Sequence, residues 1–445
     1  MTERPLFDRA EFTWLLGIED TCVYPADAMK PALDEHLLTD HHLHWRNDLR
    51  AASEMGATAL RYGVSWPLVH TAPHRFDWHH LDEVVDYAVD GLGLDLVADL
   101  VHYGTPTWLA DSFADPGYPA AVEAFASALA ARYRGRIRGY TPLNEPVTTA
   151  SFSGLRAVWP PNRSGWTGWT SVVVPIALGM AKATRAIRDA DPAAVIVHVE
   201  AATAVSARSA HAADEAALLG QLGWLPTDLL LGRVDAGHPM RSWLMAQGAD
   251  EEALDWLCGN PAPPDILGVN YYPDLTPRRL TQVGDRMIQV AYNGGQAEFA
   301  AALRRFSDRY GLPLAVTETS IEGSDEMRSA WLRHAAETVQ ELSDELDIRG
   351  FTWWPLYDFV DWSWAADGDN VEEFAVERRH ADGSTTVGFA GPLGHPTEGK
   401  SPFLRRMGLI RLEEQPDGTL TREPTGAAQV YARLAERSRS ETAPT

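Results

Sequence analysis

Two glutamates lie at the ends of apolar segments that have the composition of β-strands. Glu145 lies in the stretch "YTPLNEPVTT", where it ends the strand-like part between Asn144 and the strand-breaking Pro146. Glu318 closes a second apolar stretch, "LPLAVTE". Two carboxyl groups placed by the backbone can divide the work of a proton donor and a nucleophile. That chemistry requires a framework that brings the two glutamates together.

The framework is predicted by eight short apolar segments that alternate with longer segments of helical spacing. Such alternation indicates a parallel sheet, and eight units in one domain favour a closed (β/α)8 TIM barrel, an α/β fold, over an open doubly wound sheet. No glycine-rich dinucleotide fingerprint follows the first segment, which argues against nucleotide binding. The predicted strands are "TWLLGIE", "ALRYGVS", "LDLVADLVHY", "IRGYTPLNE", "VIVHVE", "DILGVNYY", "LPLAVTE" and "FTWWPLYD".

We expect a single domain with long loops after its strands. No linker or low-complexity segment interrupts residues 1–437, and residues 438–445 have the composition of a disordered tail. The clearest helix candidates are "HLDEVVDYAVDGL", "PAAVEAFASALAARYRG", "DEMRSAWLRHAAETVQEL" and, after a long excursion, "TGAAQVYARLAERS".

Nearly every predicted strand ends in a residue that can ionise, hydrogen-bond or stack. The active sites of TIM barrels lie at the C-terminal ends of the strands, so these residues are candidates for the site. In chain order they are Glu19 with Asp20, Arg61, His102, Asn144 with Glu145, Glu200, Asn270 with Tyr272, Glu318 and Trp354.

Glu145 and Glu318 end the fourth and seventh strands, so we expect them to face each other across the mouth of the barrel. Two carboxyl groups that flank one bond are what glycoside hydrolysis requires. A separation of roughly 5 Å gives retention of configuration, and one of about 6.5–9.5 Å gives inversion. Arg61 is expected to lower the pKa of Glu318 and keep it ionised, and the Tyr272 hydroxyl is expected to hydrogen-bond the same carboxylate. Asn144 is a candidate to hold the sugar hydroxyl next to the reacting carbon.

These segments resemble glycoside hydrolase family 1, the β-glucosidase family, over nearly the whole chain. "TPLNEP" resembles its acid/base segment, and "DHHLHWRNDLRAASEMGATALRYGVSWPLV", "LVHYGTPTWLAD", "DILGVNYYP", "WPLYDFVDW" and the C-terminal "MGLIRLEEQPDGTLTREPTGAAQVYARL" resemble other parts of its barrel. The resemblance implies a nucleophile-pairing role for Arg61, a nucleophile contact for Tyr272, and sugar contacts for His102, Trp354, Asp361 and Trp362.

The chain also departs from the family pattern. "VTETS" replaces the usual Glu-Asn-Gly ending of the nucleophile segment, and "GIEDTCVYP" lacks the glutamine that holds two sugar hydroxyls. Glu19 or Asp20 is expected to take its place. Asp361 stands where the family has glutamate, so a divergent member with an altered sugar pocket is predicted, with glucose as the default sugar. The stretch "SWAADGDNVEEF" after Trp362 has no Lys or Arg, which argues against a phosphorylated sugar.

Several candidates have a second interpretation. Glu200 is predicted either to contact a sugar hydroxyl or to pair with Arg61. The histidines of "TDHHLHW" suggest a metal site. However, an amphipathic helix is predicted from Thr39 or Asp40, and adjacent side chains diverge on a helix, which argues against a shared metal ion. In the loop "VWPPNRSGWTGW", one or two of three tryptophans are expected at the entrance for the leaving group and the others in packing: Trp159, Trp166 and Trp169.

Composition limits the classes of partner. The 445 residues carry a formal net charge of −24, which disfavours nucleic acid and anionic membranes as partners. Cys22 and Cys258 do not form a disulfide framework, the N-terminal segment has no signal-peptide pattern, and no apolar run reaches the ~20 residues that span a bilayer. A cytoplasmic enzyme acting on a small glycoside, without metal or cofactor, is expected, and its oligomeric state is left open.

The sequence therefore predicts a retaining, exo-acting β-glycosidase with Glu318 as nucleophile and Glu145 as acid/base. Transglycosylation uses the same machinery. Two other classes are weighed against it: a sugar-binding barrel that has lost turnover, and a metal-dependent sugar isomerase on the same fold. Retention of both glutamates with Arg61 and Tyr272 argues against the first, and the lack of a His/Asp/Glu ligand cluster argues against the second.

Overall fold

Eight parallel strands close into a barrel in chain order, with the last strand paired to the first. The computed structural model describes residues 6–9, 11–25, 30–283, 286–372, 374–379, 384–389 and 399–442. The predicted (β/α)8 barrel is confirmed. Its strands are β1 (Thr13–Gly17), β2 (Ala59–Gly63), β3 (Asp95–Asp99), β4 (Gly139–Thr141), β5 (Val195–Ala201), β6 (Ile266–Asn270), β7 (Leu314–Glu318) and β8 (Ile348–Trp353).

A major helix follows each strand. In α2 the α-helical part is continued by a π-helical turn, Asp86–Gly91. Residues 438–442, predicted to begin a disordered tail, instead continue the last helix, and residues 443–445 lie outside the described residues. The helices are α1 (His41–Glu54), α2 (His79–Val85), α3 (Tyr118–Arg132), α4 (Gly165–Ala190), α5 (Ala213–Leu230), α6 (Gly295–Tyr310), α7 (Asp325–Leu342) and α8 (Gly426–Thr442).

The strands are buried on both faces, and the two faces serve different cores. Leu16 on β1 belongs to the large core between strands and helices, whereas Leu15 points into the barrel with Ala59, Val97 and Val199. Because side chains alternate along a strand, the residues two positions beyond this inner layer also face the lumen. Arg61 and Asp99 follow Ala59 and Val97 at that spacing, which places them directly above the apolar floor.

The loops at the C-terminal ends of the strands build a second sheet over the mouth of the barrel. Its five strands come from the loops after β5, β6 and β8. We call it the mouth sheet; in spatial order its strands are Ala204–Ala207, Pro277–Val283, Arg286–Ala291, Phe374–Arg379 and Thr385–Phe389.

Short elements fill the remaining loops. Two-stranded ribbons pair Cys22–Val23 with Leu33–Asp34, His70–Ala72 with Arg75–Phe76, Phe359–Val360 with Leu404–Arg405, and Ile410–Glu414 with Leu420–Pro424. The short helices are Glu35–Leu38, Trp66–Val69, Pro146–Ala150 with the π-helical turn Ser151–Leu155, Arg241–Ala246 and Glu251–Gly259. The described residues also form 3₁₀ turns at Ser112–Ala114, Ala210–Ala212, Trp362–Ala366 and Ser401–Phe403.

The long helix α4 owes its apolar character to packing. It is the single helix of the described chain that is long and apolar enough to cross a membrane, and 72% of its most apolar window is buried inside the protein. Its buried side chains, among them Val172, Val173 and Ile176, belong to the core around the barrel.

Gly104, in the loop after β3, lies too close to a neighbouring segment for any side chain. A Cβ atom added there would collide with the carbonyl oxygen of Cys22. We expect Gly104→Ala to destabilise the protein by about 1–3 kcal/mol, the usual effect of overpacking. Chemical denaturation measures this change. The matched control is Gly220→Ala inside α5, where the new methyl group meets nothing within 4 Å; it should stabilise slightly through helix propensity. Equal effects of the two substitutions would contradict the steric explanation.

Candidate active site

Arg61 lies at the centre of a buried network above the barrel floor. Its guanidinium is fully buried and forms ion pairs with Glu19 Oε1 at 2.6 Å, Glu318 Oε1 at 3.0 Å and Asp99 Oδ2 at 3.2 Å. It also donates to the Thr317 carbonyl oxygen at 2.9 Å and to Asn144 Oδ1 at 3.2 Å. One side chain on β2 thereby links the ends of β1, β3, β4 and β7.

Glu19 has a different position from the one expected. Either Glu19 or Asp20 was predicted to replace a sugar-binding glutamine, but the Glu19 carboxylate is fully buried against Arg61. Asp20 accepts a hydrogen bond from the Thr21 amide at 2.7 Å, and burial raises its pKa to about 7, against an opposing effect of His102.

Glu318 makes the two contacts expected from the sequence. Arg61 donates to Oε1 at 3.0 Å, and the Tyr272 hydroxyl donates to Oε2 at 2.7 Å. The expected lowering of its pKa is wrong. Burial raises the pKa of Glu318 to about 8, the negative charge of Glu145 adds to this increase, and Arg61 and Tyr272 oppose it without reversing it.

Glu145 is held by neutral groups. Asn270 Nδ2 donates to Oε1 at 2.8 Å, and the Tyr103 hydroxyl donates to Oε2 at 2.7 Å. Thr317 fixes Asn270 in turn by donating to its Oδ1 at 2.7 Å. The backbone of Glu145 has φ 44°, in the left-handed region that few residues other than glycine adopt. This conformation turns the chain from the end of β4 into the short helix Pro146–Ala150.

Glu200 fits neither of its predicted roles. It lies one residue beyond the inward-facing Val199, so its side chain leaves the lumen and lies behind the Glu145 segment. Its Oε1 accepts from the amides of Ala201 at 2.9 Å and Val147 at 3.3 Å. Burial raises the pKa of its carboxyl group. Glu200 therefore supports the turn that carries Glu145, away from both sugar and Arg61.

His102 and Asn144 form a chain of hydrogen bonds between the two glutamates. His102 Nδ1 contacts Asp99 Oδ2 at 3.0 Å, which leaves Nε2 to accept from Asn144 Nδ2 at 3.2 Å. Asn144 Nδ2 also donates to the Tyr103 hydroxyl at 3.1 Å. Both amide protons of Asn144 are therefore engaged, and a sugar hydroxyl would have to replace one of these partners.

Glu145 and Glu318 line one inner cavity of about 80 Å³. This convergence is the geometry expected for the two carboxyl groups. We call it the inner cavity; its walls include His102, Tyr103, Tyr272, Trp354, Asp361, Trp362 and Arg405. A larger outer cavity of about 290 Å³ begins at Glu145 and extends under the mouth sheet.

The tryptophans at the end of β8 divide as predicted. Trp353 is fully buried in the outer core and donates to the Met407 carbonyl oxygen at 3.2 Å. Trp354 lines the inner cavity and donates to the Glu19 carbonyl oxygen at 2.7 Å. Among the loop tryptophans, Trp166 and Trp169 line the outer cavity, whereas Trp159 is buried against Phe152 and Trp362.

The lining of the inner cavity contains a cation. Arg405 pairs with Asp361 Oδ2 at 2.8 Å and with Glu322 Oε2 at 2.9 Å. Trp362, beside Asp361, donates to Thr21 Oγ1 at 2.9 Å. The lack of Lys or Arg after Trp362 does not extend to the folded site, because a later part of the chain supplies the arginine. Two carboxylates offset its charge. The expectation of an unphosphorylated sugar stays a prediction.

Four residues of the site are absent from those predicted: Asp99, Tyr103, Thr317 and Arg405. Asp99 was detectable, because it shares the inward face of β3 with Val97. Tyr103 adjoins His102, but its φ of 69° is a property of the folded loop. Arg405 enters from a ribbon far along the chain, which no local pattern predicts.

In the described part of the chain, no three or more His, Cys, Asp or Glu residues are grouped so as to hold a metal ion. His41, from the histidine-rich segment, contacts Asp48 at 2.8 Å and the Tyr62 hydroxyl at 3.0 Å.

Comparison with known proteins gives the family. The family model for "Glycosyl hydrolase family 1" matches residues 22–274, more than half of the chain. This protein belongs to glycosyl hydrolase family 1. It is therefore a glycoside hydrolase of the β-glucosidase-like kind, which confirms the resemblance found in the sequence.

The similar proteins are distant. An "Aryl-phospho-beta-D-glucosidase BglC" of Bacillus subtilis is 24% identical, covering 73% of this chain and 79% of that protein. A "Bifunctional beta-D-glucosidase/beta-D-fucosidase" of Bifidobacterium breve is also 24% identical, covering 73% and 80%. The solved "Family 1 b-glucosidase from Thermotoga maritima" matches with a TM-score of 0.75 at 14% identity over 96% of this chain and 98% of that one. This structural likeness shows the fold.

The raised pKa of Glu318 predicts a pH-dependent cost in stability. Between an ordinary pKa of 4.5 and a folded pKa of about 8, the folded protein keeps a proton that the unfolded chain releases. Stability therefore falls as pH rises through this window. We expect Glu318→Gln, which cannot ionise, to raise the melting temperature by ~2 °C or more at pH 8 and by much less at pH 5. Calorimetry at both pH values measures the difference.

The control for this substitution is Glu341→Gln at an exposed position of α7, which should change the melting temperature equally at both pH values. If Glu318→Gln gives the same shift at pH 5 and pH 8, or destabilises more at pH 8, burial of an ionisable Glu318 does not limit stability.

Proposed function

We propose that this protein is a retaining, exo-acting β-glycosidase in which Glu318 is the nucleophile and Glu145 the acid/base. The observation that carries the proposal is the unequal surroundings of two carboxyl groups that line one cavity. Glu318 contacts the cation Arg61, whereas the hydrogen-bond partners of Glu145 are neutral. The raised pKa of Glu318 means that the buried pair of carboxyl groups keeps one proton around neutral pH. A cation favours the ionised form of its neighbour, so in the reactive arrangement this proton lies on Glu145 and Glu318 is ionised.

In the first step, a carboxylate oxygen of Glu318 attacks the anomeric carbon while Glu145 gives its proton to the glycosidic oxygen. The bond to the leaving group breaks, and a covalent glycosyl-enzyme forms. Tyr272 and Arg61 hold the attacking carboxylate in place. Tyr103 and Asn270 hold Glu145, and the Tyr103 hydroxyl can accept the Glu145 proton in a hydrogen bond before substrate arrives.

In the second step, Glu145 accepts a proton from water, and the resulting hydroxide oxygen attacks the anomeric carbon. The ester bond to Glu318 breaks, the sugar leaves with its original configuration, and both carboxyl groups return to their starting state. A sugar hydroxyl in place of this water would give transglycosylation. Retention is general in glycosyl hydrolase family 1, which supports this sequence of steps.

The shape of the inner cavity supports an exo mode of action on a terminal sugar. Its volume of about 80 Å³ is small, and Asp361, Trp362, Arg405, His102 and Trp354 line it together with the two glutamates. Glucose is the default sugar, and the names of the two relatives add fucose and phosphorylated glucose to the sugars to be tested. Initial rates on a panel of nitrophenyl β-glycosides of these sugars identify the preferred one.

Azide rescue separates the roles of the two glutamates. We expect Glu318→Gly and Glu145→Gly each to lose at least ~10³-fold in kcat/KM on a substrate that needs acid catalysis. With a dinitrophenyl β-glycoside and azide, Glu318→Gly should give the α-glycosyl azide, because azide enters on the vacated nucleophile side. Glu145→Gly should give the β-glycosyl azide, because azide attacks the glycosyl-enzyme. Proton NMR of the products distinguishes the two anomers.

The control for these variants is Glu341→Gly on the exposed face of α7, which should keep full activity. For the wild-type protein, NMR of the first-formed sugar should show the β anomer. A first-formed α anomer, or azide products of the reverse configurations from correctly folded variants, would refute the assigned roles.

A further inference from the structure

The outer cavity combines aromatic walls with positive charge at the place where a leaving group departs. It begins at Glu145, which supplies the proton to the leaving oxygen in the proposed function. Its aromatic walls come from the first turns of α4 and from the loops after β4, β6 and β8: Phe152, Trp166, Trp169, Tyr272, Trp362 and Phe374. Such walls fit a flat ring. Two arginines, Arg156 and Arg278, and one further acid, Glu372, also line it.

Arg278 is fixed in place, but some of its hydrogen-bond donors remain available to a ligand. It lies on the mouth sheet, donates from Nε to the Leu275 carbonyl oxygen at 3.0 Å, and donates from Nη1 to Gln289 Oε1 at 3.5 Å. Its guanidinium stacks on the Phe374 ring at 4.0 Å. A guanidinium has five N–H donors. Among the described residues, its Nη2 group has no hydrogen-bond partner, and this group is not sealed from the cavity.

The charge of Arg278 is not neutralised by a contacting carboxylate. Within the described ranges no acid lies at ion-pair distance from it, in contrast to Arg61 and Arg405. Burial lowers the pKa of Arg278 to about 10, with a smaller lowering by Arg156, while Glu372 and Glu145 act in the other direction. The group still carries its charge at neutral pH. Burial raises the pKa of Glu372, which weakens its role as a counter-ion.

We propose that the outer cavity binds an aromatic leaving group that carries an anionic substituent, and that Arg278 is the residue that selects for it. The inference rests on the proposed function for the position of the bond that breaks. The ring lies between the aromatic walls, its phenolic oxygen receives the proton of Glu145, and its carboxylate, or another anion of similar size, accepts from Arg278. The glycosyl group passes to Glu318 and then to water, and the leaving group departs as the neutral phenol with its anionic substituent unchanged.

The test compares two glycosides of the sugar preferred in the panel, one of 4-hydroxyphenylacetate and one of 4-hydroxyphenylacetamide. The leaving phenols have nearly the same acidity because a methylene group separates the substituent from the ring. The readout is the ratio of kcat/KM for the acid to that for the amide. We expect Arg278→Gln to lower this ratio ~10-fold or more relative to the wild-type protein. The wild-type protein and the variant have nearly the same overall charge, so its effect on the acid substrate cancels when their two ratios are compared.

Arg279→Gln is the matched control. Arg279 is the next residue on the same strand, but it stacks on Tyr292 at 3.6 Å and does not line the outer cavity. This variant should leave the ratio unchanged. A ratio that stays the same in Arg278→Gln, or that falls equally in Arg279→Gln, would overturn the proposal.

Binding of the free phenols gives a measurement that does not depend on turnover or on folding of the variant. Calorimetric titration of the wild-type protein should show tighter binding of 4-hydroxyphenylacetate than of its amide. Equal binding, or tighter binding of the amide, would overturn the inference. Failure of every glycoside in the panel would instead refute the proposed function, and the titration would still decide whether the outer cavity selects an anion.

Discussion

The active site depends on one buried guanidinium that forms ion pairs with three carboxylates. Arg61 contacts Glu19, Asp99 and Glu318, which come from three different strand ends. One positive charge cannot offset three negative charges in a buried site, so protons must neutralise part of the cluster. Burial accordingly raises the pKa of both Glu19 and Glu318. The same arginine therefore fixes the geometry of the barrel mouth and limits how much negative charge can be held on the Glu318 side of the inner cavity.

The opposite side of the cavity is organised by backbone shape and neutral hydrogen bonds. Glu145 occupies a left-handed conformation at the point where β4 passes into a short helix. Glu200 supports this turn from behind through the Val147 amide, and Asn270 and Tyr103 hold the carboxyl group from the front. None of these partners is a cation, and the proposed function assigns the proton of the pair to this carboxyl group for that reason. Two chemically identical side chains acquire different roles from their surroundings.

The sequence predicted the position of a residue where that position follows from the order of the strands or from the alternation of side chains along a strand. Eight apolar segments predicted the barrel, and the strand ends predicted the meeting of Glu145 and Glu318. Alternation along β5 also explains why Glu200 misses the lumen. The remaining features depend on packing over long distances in the chain. Arg405 arrives from a distant ribbon, and the sign of the pKa change at Glu318 is decided by the depth of burial, which the residue types alone do not express.

The two cavities differ in how their cations are balanced, and this difference divides the work of recognition. In the inner cavity, the carboxylates of Asp361 and Glu322 balance the positive charge of Arg405. The buried charge of Arg61 is balanced by the three acids that contact it. In the proposed function, a sugar that enters the inner cavity meets paired charges and is selected by hydrogen bonds and by shape. In the outer cavity, Arg278 has a carbonyl, an amide and a ring as its described partners. A positive charge that no described carboxylate neutralises is available to a ligand, so in the two proposals discrimination by charge falls to the leaving-group side of the bond.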